Sequence, residues 1–145
     1  MVSISDAVCM YSVDKVVDAA RQKIKITMAT KRKYDNTWLV FVNIRAKANF
    51  NFVDLIDVGK KNLDVKYSGA WANIIVKSCI INEAIEIIHQ GLNELNFEVV
   101  FIDKIENMAS LIEYDEVNKK LKSEVNWLIK SNFVFKISDR LFPYE

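Results

Sequence analysis

Two side chains in this sequence are candidates for a nucleophile and a base. Cys79 offers a thiol, and His89, the only histidine, offers an imidazole. His89 could act as a general base with Glu86 or Glu113, or it could pair with Cys79 if the two meet in space and a third group orients the imidazole. No sequence feature brings them together, so we expect His89 to be a partly exposed helix residue and Cys79 a buried one. The sequence therefore favours a protein that is not an enzyme.

Metal and phosphate chemistry also lack a signature. Asp54 and Asp57 stand three residues apart, as do Glu83 and Glu86, but a calcium loop needs alternating oxygen ligands around a glycine. Zinc-ligand spacing is absent, and three scattered glycines cannot form a phosphate-binding loop. We expect neither a metal nor a cofactor.

Charge is divided unevenly along the chain. The first eighty residues contain 13 Lys and Arg against 7 Asp and Glu, and the remainder contains 7 against 12. The acidic residues concentrate between positions 103 and 124. A solvated helix face is the ordinary explanation, but a carboxylate-rich surface with an aromatic anchor also suits a basic protein partner. The predicted partner-binding residues are Asp103, Glu106, Glu113, Tyr114, Asp115 and Glu116.

The basic residues suggest an alternative, a nucleic-acid-binding surface. Its candidate residues are Lys23, Lys25, Lys31, Arg32 and Lys33, joined by Arg45 and Lys47. Lysine and arginine would hold the phosphate backbone, while Tyr34, with Trp38 and Phe41 nearby, would stack on a base. The near-neutral total charge argues against this function, because nucleic-acid-binding domains are usually strongly basic.

Hydrophobic periodicity predicts a helix near the N-terminus, followed by a long hairpin. Apolar residues recur at helical spacing from Val13 to Ile24 and then alternate in residues 24–30 and 38–46, with turn residues between. The second strand has Trp38, Val40 and Val42 on one face. Residues 48–81 are ambiguous, and Trp71 to Ile81 can be a buried strand or an early start of the next helix.

The C-terminal half contains two similar units, each a helix, an asparagine and a strand. In the first, Asn82 caps the helix, Asn96 ends it in a left-handed conformation, and residues 97–102 form the strand. In the second, Asp115 and Asn132 take those positions, and residues 133–137 form the strand. A short helix at 105–112 lies between the units. The long connection predicts that the two strands are parallel neighbours.

These elements predict one α+β domain over residues 1–145, with a mostly antiparallel sheet of four to six strands and helices mainly on one face. No apolar stretch approaches the roughly 20 residues of a membrane-spanning helix. Cys9 and Cys79 form no CxxC motif, which suits two reduced core thiols in the cytoplasm, with a disulfide as the alternative.

The chain resembles the small immunity proteins that accompany bacterial polymorphic toxins, including those of contact-dependent growth inhibition. The resemblance covers the whole length and concerns size, composition and the acidic stretch from Asp103 to Glu116 with Tyr114. It implies a cytoplasmic inhibitor that binds a cognate toxin domain, frequently a nuclease, and blocks its active site. The basic residues of the predicted hairpin depart from the usual acidic character of such proteins.

Overall fold

The protein is seen in a computed structural model that describes residues 33–56 and 66–145. Four antiparallel strands form one sheet in the order β3-β1-β2-β4. The strands are β1 (Thr37–Ala46), β2 (Gly69–Lys77), β3 (Phe97–Asn107) and β4 (Phe135–Tyr144), and the helices are α1 (Phe52–Leu55), α2 (Ile81–Glu94), α3 (Met108–Glu113) and α4 (Lys119–Lys130). The α+β class and the antiparallel sheet confirm the prediction.

Strand β1 lies in the centre of the sheet and alternates as its sequence predicts. Val40, Val42 and Ile44 are buried on what we call the first face. Leu39, Phe41 and Asn43 point to the opposite, second face, because successive residues of a strand alternate. The predicted hairpin is wrong, since β1 pairs with β2 on one edge and β3 on the other. Its proposed first strand, residues 24–30, lies outside the described residues, as does the predicted N-terminal helix.

The first face holds the larger part of the core. Helix α2 packs on it through Ala84, Ile88 and Leu92, and Phe52 of α1 joins the same cluster. Gly91 allows α2 to approach β4 closely, since a Cβ at this position would lie 2.4 Å from the ring of Phe135.

The second face is covered along only part of its length. Ile75 of β2 lies there with Met108 and Leu111 of α3 and Val125 and Leu128 of α4 in a separate buried cluster. Helices α2 and α4 thus pack on opposite faces of the sheet. The prediction that helices lie mainly on one face is wrong for the described helices, because the same alternating strands supply apolar residues to both faces.

Irregular pairing marks both outer strands. Successive pairs along β1 skip Val100 and Asp103 of β3, which are the extra residues of two β-bulges. Between Ala72 and Ile74 of β2, the register of β4 jumps from Leu141 to Ile137. Strands β3 and β4 are the two outer strands of the sheet. The prediction that they are parallel neighbours is therefore wrong.

The helix ends follow the predicted chemistry only in part. Asn96 has φ 69°, the left-handed conformation predicted after α2. Helix α2 begins after Ile80 without a side-chain cap, so Asn82 is not its cap. Asn118, not Asp115, caps α4, because its side chain accepts from the Leu121 N–H at 2.8 Å. Asn107 caps α3 in the same way and donates to the Asp35 carbonyl at 2.9 Å.

Three further boundaries differ from the sequence prediction. Strand β3 continues to Asn107, so the short helix begins only at Met108. Trp71 lies in strand β2, which resolves the ambiguity of that segment in favour of a strand. Ser131 is the C-terminal cap of α4, and β4 begins at Phe135, so Asn132 does not repeat the role of Asn96.

Cys79 follows β2 and is disulfide-bonded. The prediction of a reduced thiol at this position is therefore wrong, and the other cysteine of the sequence, Cys9, lies outside the described residues. Among the described helices, none has the length and apolar character needed to cross a bilayer.

Candidate functional site

The uncovered part of the second face, which we call the open half, carries five aromatic rings, among them that of Tyr144, whose hydroxyl donates to the Asn43 side chain at 2.6 Å. Pairing places Phe101, Asn43 and Trp71 in one row across three strands, and Phe142 of β4 continues that row. Phe41 lies in the adjacent row. Phe101 is 55% exposed and Phe142 is 42% exposed, although both belong to strands of the sheet. Large rings on an uncovered sheet face are typical of an interaction surface.

The rings of the open half hold one another in place. Phe41 stacks on Trp71 with centroids 5.1 Å apart and meets the edge of Phe142 at 6.4 Å. Phe101 meets Trp71 edge-on at 6.3 Å. Arg140 lies 5.4 Å from the centroid of Phe142. Because rigid aromatic rings lose little conformational entropy on binding, such an arrangement suits a binding surface.

A groove runs between the open half and helix α3. Its volume is about 370 Å³, and it is lined by Leu39, Phe41, Asn73, Lys104, Glu106, Leu111, Glu116 and Phe142. Two of the predicted partner-binding residues, Glu106 and Glu116, therefore line the same groove as the aromatic rings. Lys104 lies 3.4 Å from Glu106. The carboxylate of Glu116 makes no hydrogen bond or ion pair with the described residues.

The turn after α3 presents the central acidic residues, and we call residues 113–116 the acidic turn. Asp115 has φ 54°. Its N–H donates to the Ile112 carbonyl at 3.1 Å, and the Glu116 N–H donates to the Leu111 carbonyl at 2.8 Å. This pair of bonds is the Schellman motif, which fixes the end of a helix. Tyr114, which lies between Glu113 and Asp115, is 71% exposed.

The predicted acidic surface is only partly one surface. Glu113, Tyr114, Asp115 and Glu116 share the acidic turn, and Glu106 joins Glu116 at the groove. Asp103 is exposed at a bulge of the outer strand β3. Glu124 also belongs to the acidic stretch of the sequence, but it is 8% exposed and is not available to a partner.

Glu124 instead fastens α4 to the irregular part of β4. Its carboxylate accepts from the Ser138 hydroxyl at 2.8 Å, the Asp139 N–H at 3.1 Å and the Lys136 ammonium at 2.9 Å. Burial alone would lower the pKa of Lys136. The hydrogen bond and charge of Glu124, with a smaller contribution from Asp139, outweigh burial and raise the pKa above its ordinary value.

The predicted nucleic-acid surface is described only at its end. Lys33 is exposed and lies 5.4 Å from the Tyr34 ring centroid, whereas Lys23, Lys25, Lys31 and Arg32 lie outside the described residues. Tyr34 is 6% exposed and donates to Asn126, so it does not stack on a base as proposed. Trp38 donates to the Ser78 carbonyl. Of the three proposed aromatic residues, Phe41 alone faces the open half.

The two other cations assigned to that surface have partners. Arg45 forms an ion pair with Glu98, and the Lys47 ammonium donates to the Asn93 carbonyl at 2.8 Å. A cation that is already engaged loses part of its attraction for phosphate.

The candidate catalytic groups gain no support from their positions. Cys79 is disulfide-bonded, so it presents no thiolate. His89 lies exposed on α2. Within residues 33–56 and 66–145, no three His, Cys, Asp or Glu side chains are grouped to hold a metal ion.

A second exposed apolar region is formed by Trp127 of α4 and Phe133, which precedes β4. Trp127 and Phe133 stack with centroids 5.8 Å apart, and Phe133 borders a cavity of about 470 Å³ beside Gly91 and Phe135. Glu94 is the one charged residue among the side chains that line this cavity. It therefore offers a partner fewer polar contacts than the groove beside the acidic turn.

Sequence reasoning did not identify the open half as a site. The signal was partly visible, because Leu39 and Phe41 make the second face of β1 apolar where a solvated face would be polar. That Phe101 and Phe142 lie beside Phe41 depends on strand order, which the sequence did not predict. No family model matches the chain, and neither curated proteins nor solved structures contain a similar protein.

Proposed function

We propose that this protein is a binding inhibitor, an immunity protein that neutralises a cognate toxin domain and is not itself an enzyme. The observation that carries the proposal is the acidic turn, an exposed group of carboxylates around Tyr114 on a turn held by two backbone hydrogen bonds. Tyrosine is enriched among residues that dominate binding energy, and surrounding carboxylates speed association with a basic partner. A nuclease toxin is such a partner, because its active site must attract phosphate.

The proposal is tested with the toxin domain encoded by the gene immediately upstream. The two proteins are co-expressed, purified together and assayed for toxin activity with increasing amounts of the inhibitor. We expect a stable complex and stoichiometric loss of toxin activity. A toxin that neither binds the purified chain nor loses activity in its presence would contradict the proposal.

A charge-reversal variant tests the surface itself. Glu113, Asp115 and Glu116 are changed together to lysine, and we expect the affinity to fall at least about 100-fold through lost attraction and new repulsion. The matched control reverses three exposed carboxylates outside the acidic turn, Asp54, Glu86 and Glu94, giving the same change in net charge. Equal binding by both variants would eliminate the acidic turn as the contact surface.

Folding must be separated from binding in this comparison. Lysine at position 115 is less suited than aspartate to a positive φ. The double variant Glu113→Lys, Glu116→Lys leaves Asp115 unchanged and is measured alongside the triple variant, with the unfolding midpoint of each.

Nucleic-acid binding is the alternative proposal, supported by the basic first part of the sequence and the stacked rings of the open half. It predicts binding that weakens steeply with salt. Titrations with single- and double-stranded DNA and RNA at low salt decide it, and flat titrations would remove it.

We propose the cytoplasm as the site of action, as for the immunity proteins that the sequence resembles. The disulfide at Cys79 argues in the other direction, because reducing compartments rarely preserve such bonds. Rapid alkylation of thiols in intact cells, followed by mass spectrometry, tests the location. Two alkylated cysteines support the cytoplasm, whereas two protected cysteines contradict it.

A further inference from the structure

The groove between the open half and α3 has a chemical preference of its own. One wall carries the rings of Phe41 and Phe142, and Glu106 and Glu116 supply carboxylates. Lys104 compensates one of these charges through its ion pair with Glu106. With one lysine against two glutamates among its lining residues, the groove keeps one uncompensated negative charge, that of Glu116.

We propose that this groove binds an arginine side chain carried on an apolar segment of a protein partner. The inference rests on the proposed function and specifies its partner's chemistry. A planar guanidinium can lie over an aromatic ring and donate two parallel hydrogen bonds to a carboxylate. The chain already shows half of this contact internally, since the Arg140 guanidinium lies 5.4 Å from the Phe142 centroid.

Neighbouring groups favour an apolar segment around that arginine. Trp71 and Phe101 extend the aromatic surface beyond the groove, so apolar residues flanking the arginine would bury these rings. Asn73 lies in the groove, and its side-chain amide makes no hydrogen bond with the described residues. The backbone N–H and C=O groups of an extended segment have no partners within the segment. A side-chain amide can supply a hydrogen bond to them.

Charge favours this occupant over a nucleic-acid strand. A space of about 370 Å³ lies at the lower end of the range for ligand pockets. A nucleic-acid strand would bring phosphates towards Glu106 and Glu116, where like charges repel. A second copy of this chain remains an outcome that the experiment distinguishes.

The test uses the isolated chain and two peptides, followed by amide chemical shifts in NMR. The probe is acetyl-Leu-Arg-Leu-amide, and its matched control replaces arginine with citrulline, a neutral side chain of nearly the same shape. At millimolar concentrations, we expect the arginine peptide to shift resonances of Phe41, Glu106, Leu111 and Glu116. The citrulline peptide is expected to bind about tenfold more weakly, because the charge-assisted hydrogen bonds are lost.

Two isosteric variants identify the carboxylate involved. Glu116→Gln is expected to lower the affinity for the arginine peptide by about three- to tenfold. Glu98→Gln, on the same sheet face but outside the groove, is expected to leave its binding unchanged. Equal binding of both peptides, no shifts at all, or shifts confined to other surfaces would overturn the inference. Concentration-dependent shifts of the groove without peptide would overturn it as well and assign the groove to self-association.

The peptide measurement and the toxin measurement fail separately. If a toxin binds through the acidic turn but the peptide does not bind, the arginine-binding inference is wrong and the proposed function stands. Peptide binding without any toxin complex removes the proposed function and leaves an arginine-binding groove.

Discussion

The two halves of the second sheet face differ in what covers them. In the covered part, which we call the closed half, Ile75 is buried against Leu111 of α3 and Leu128 of α4. In the open half, Phe101 and Phe142 remain about half exposed, although both are paired within the sheet. The apolar character of a strand therefore does not by itself tell whether its residues form a core or a surface.

The boundary between the halves is chemically specialised. Glu124 joins α4 to β4, and the groove with Glu106 and Glu116 lies beside the rings. Glu124 on the covered side is thus committed to the fold, whereas the Glu116 carboxylate beside the open half makes no hydrogen bond or ion pair with the described residues.

The largest expected difference in stability is between alanine variants of a core residue and of a surface residue. Leu128→Ala should lower the free energy of unfolding by about 2–5 kcal/mol, because it removes a fully buried side chain and leaves a cavity. Phe101→Ala should cost about 1 kcal/mol or less, since its ring is 55% exposed and loses mainly its edge contact with Trp71. Urea denaturation with fluorescence detection measures both.

The comparison can also fail in an informative way. A loss for Phe101→Ala as large as that for Leu128→Ala would mean that the open half contributes to the core. The aromatic rings would then need no binding partner to explain them.

The sequence predicts this arrangement unevenly. Local patterns identified the alternation of β1 and the left-handed Asn96, because both depend on residues next to each other in the chain. The pairing of β1 with β3, which creates the open half, depends on contacts between distant residues. Asp115 shows the same limit within one turn, since the same side chain is acceptable as a helix cap and in a Schellman motif. Asn118 takes the capping position three residues later.

An intermediate effect should distinguish the two lysine–glutamate pairs. Lys136→Met should lower stability by about 2 kcal/mol at pH 8, because it leaves the buried Glu124 carboxylate without its charged donor. Lys104→Met should change stability by about 0.5 kcal/mol or less, since the Lys104–Glu106 pair lies beside the open half and is exposed to water.

The pH dependence follows from the raised pKa of Lys136. The folded protein holds this proton more tightly than the unfolded chain, so the contribution is complete below pH 10.5 and is lost as pH rises through the folded pKa. Urea midpoints of wild type and Lys136→Met should therefore converge above pH 10.5. A gap that stays constant up to pH 12 would show that Lys136 stabilises the fold through packing of its methylene groups.

The smallest effects concern the caps of the two covering helices. Asn118→Ala should cost about 1 kcal/mol through loss of its bond to the Leu121 N–H. Asn107→Ala should cost about 1.5–2 kcal/mol, because Asn107 also donates to the Asp35 carbonyl and so joins α3 to the residues before β1.

Glycine variants at the same positions separate capping from this longer-range bond. Glycine is a tolerable N-cap, so Asn118→Gly should cost only a few tenths of a kcal/mol. Asn107→Gly should still cost about 1 kcal/mol, since no glycine atom replaces the bond to Asp35. Thermal and urea unfolding of the four variants measure these differences. Equal values for the two glycine variants would mean that the cover is held by its helix caps and apolar contacts alone, without the link from Asn107 to Asp35.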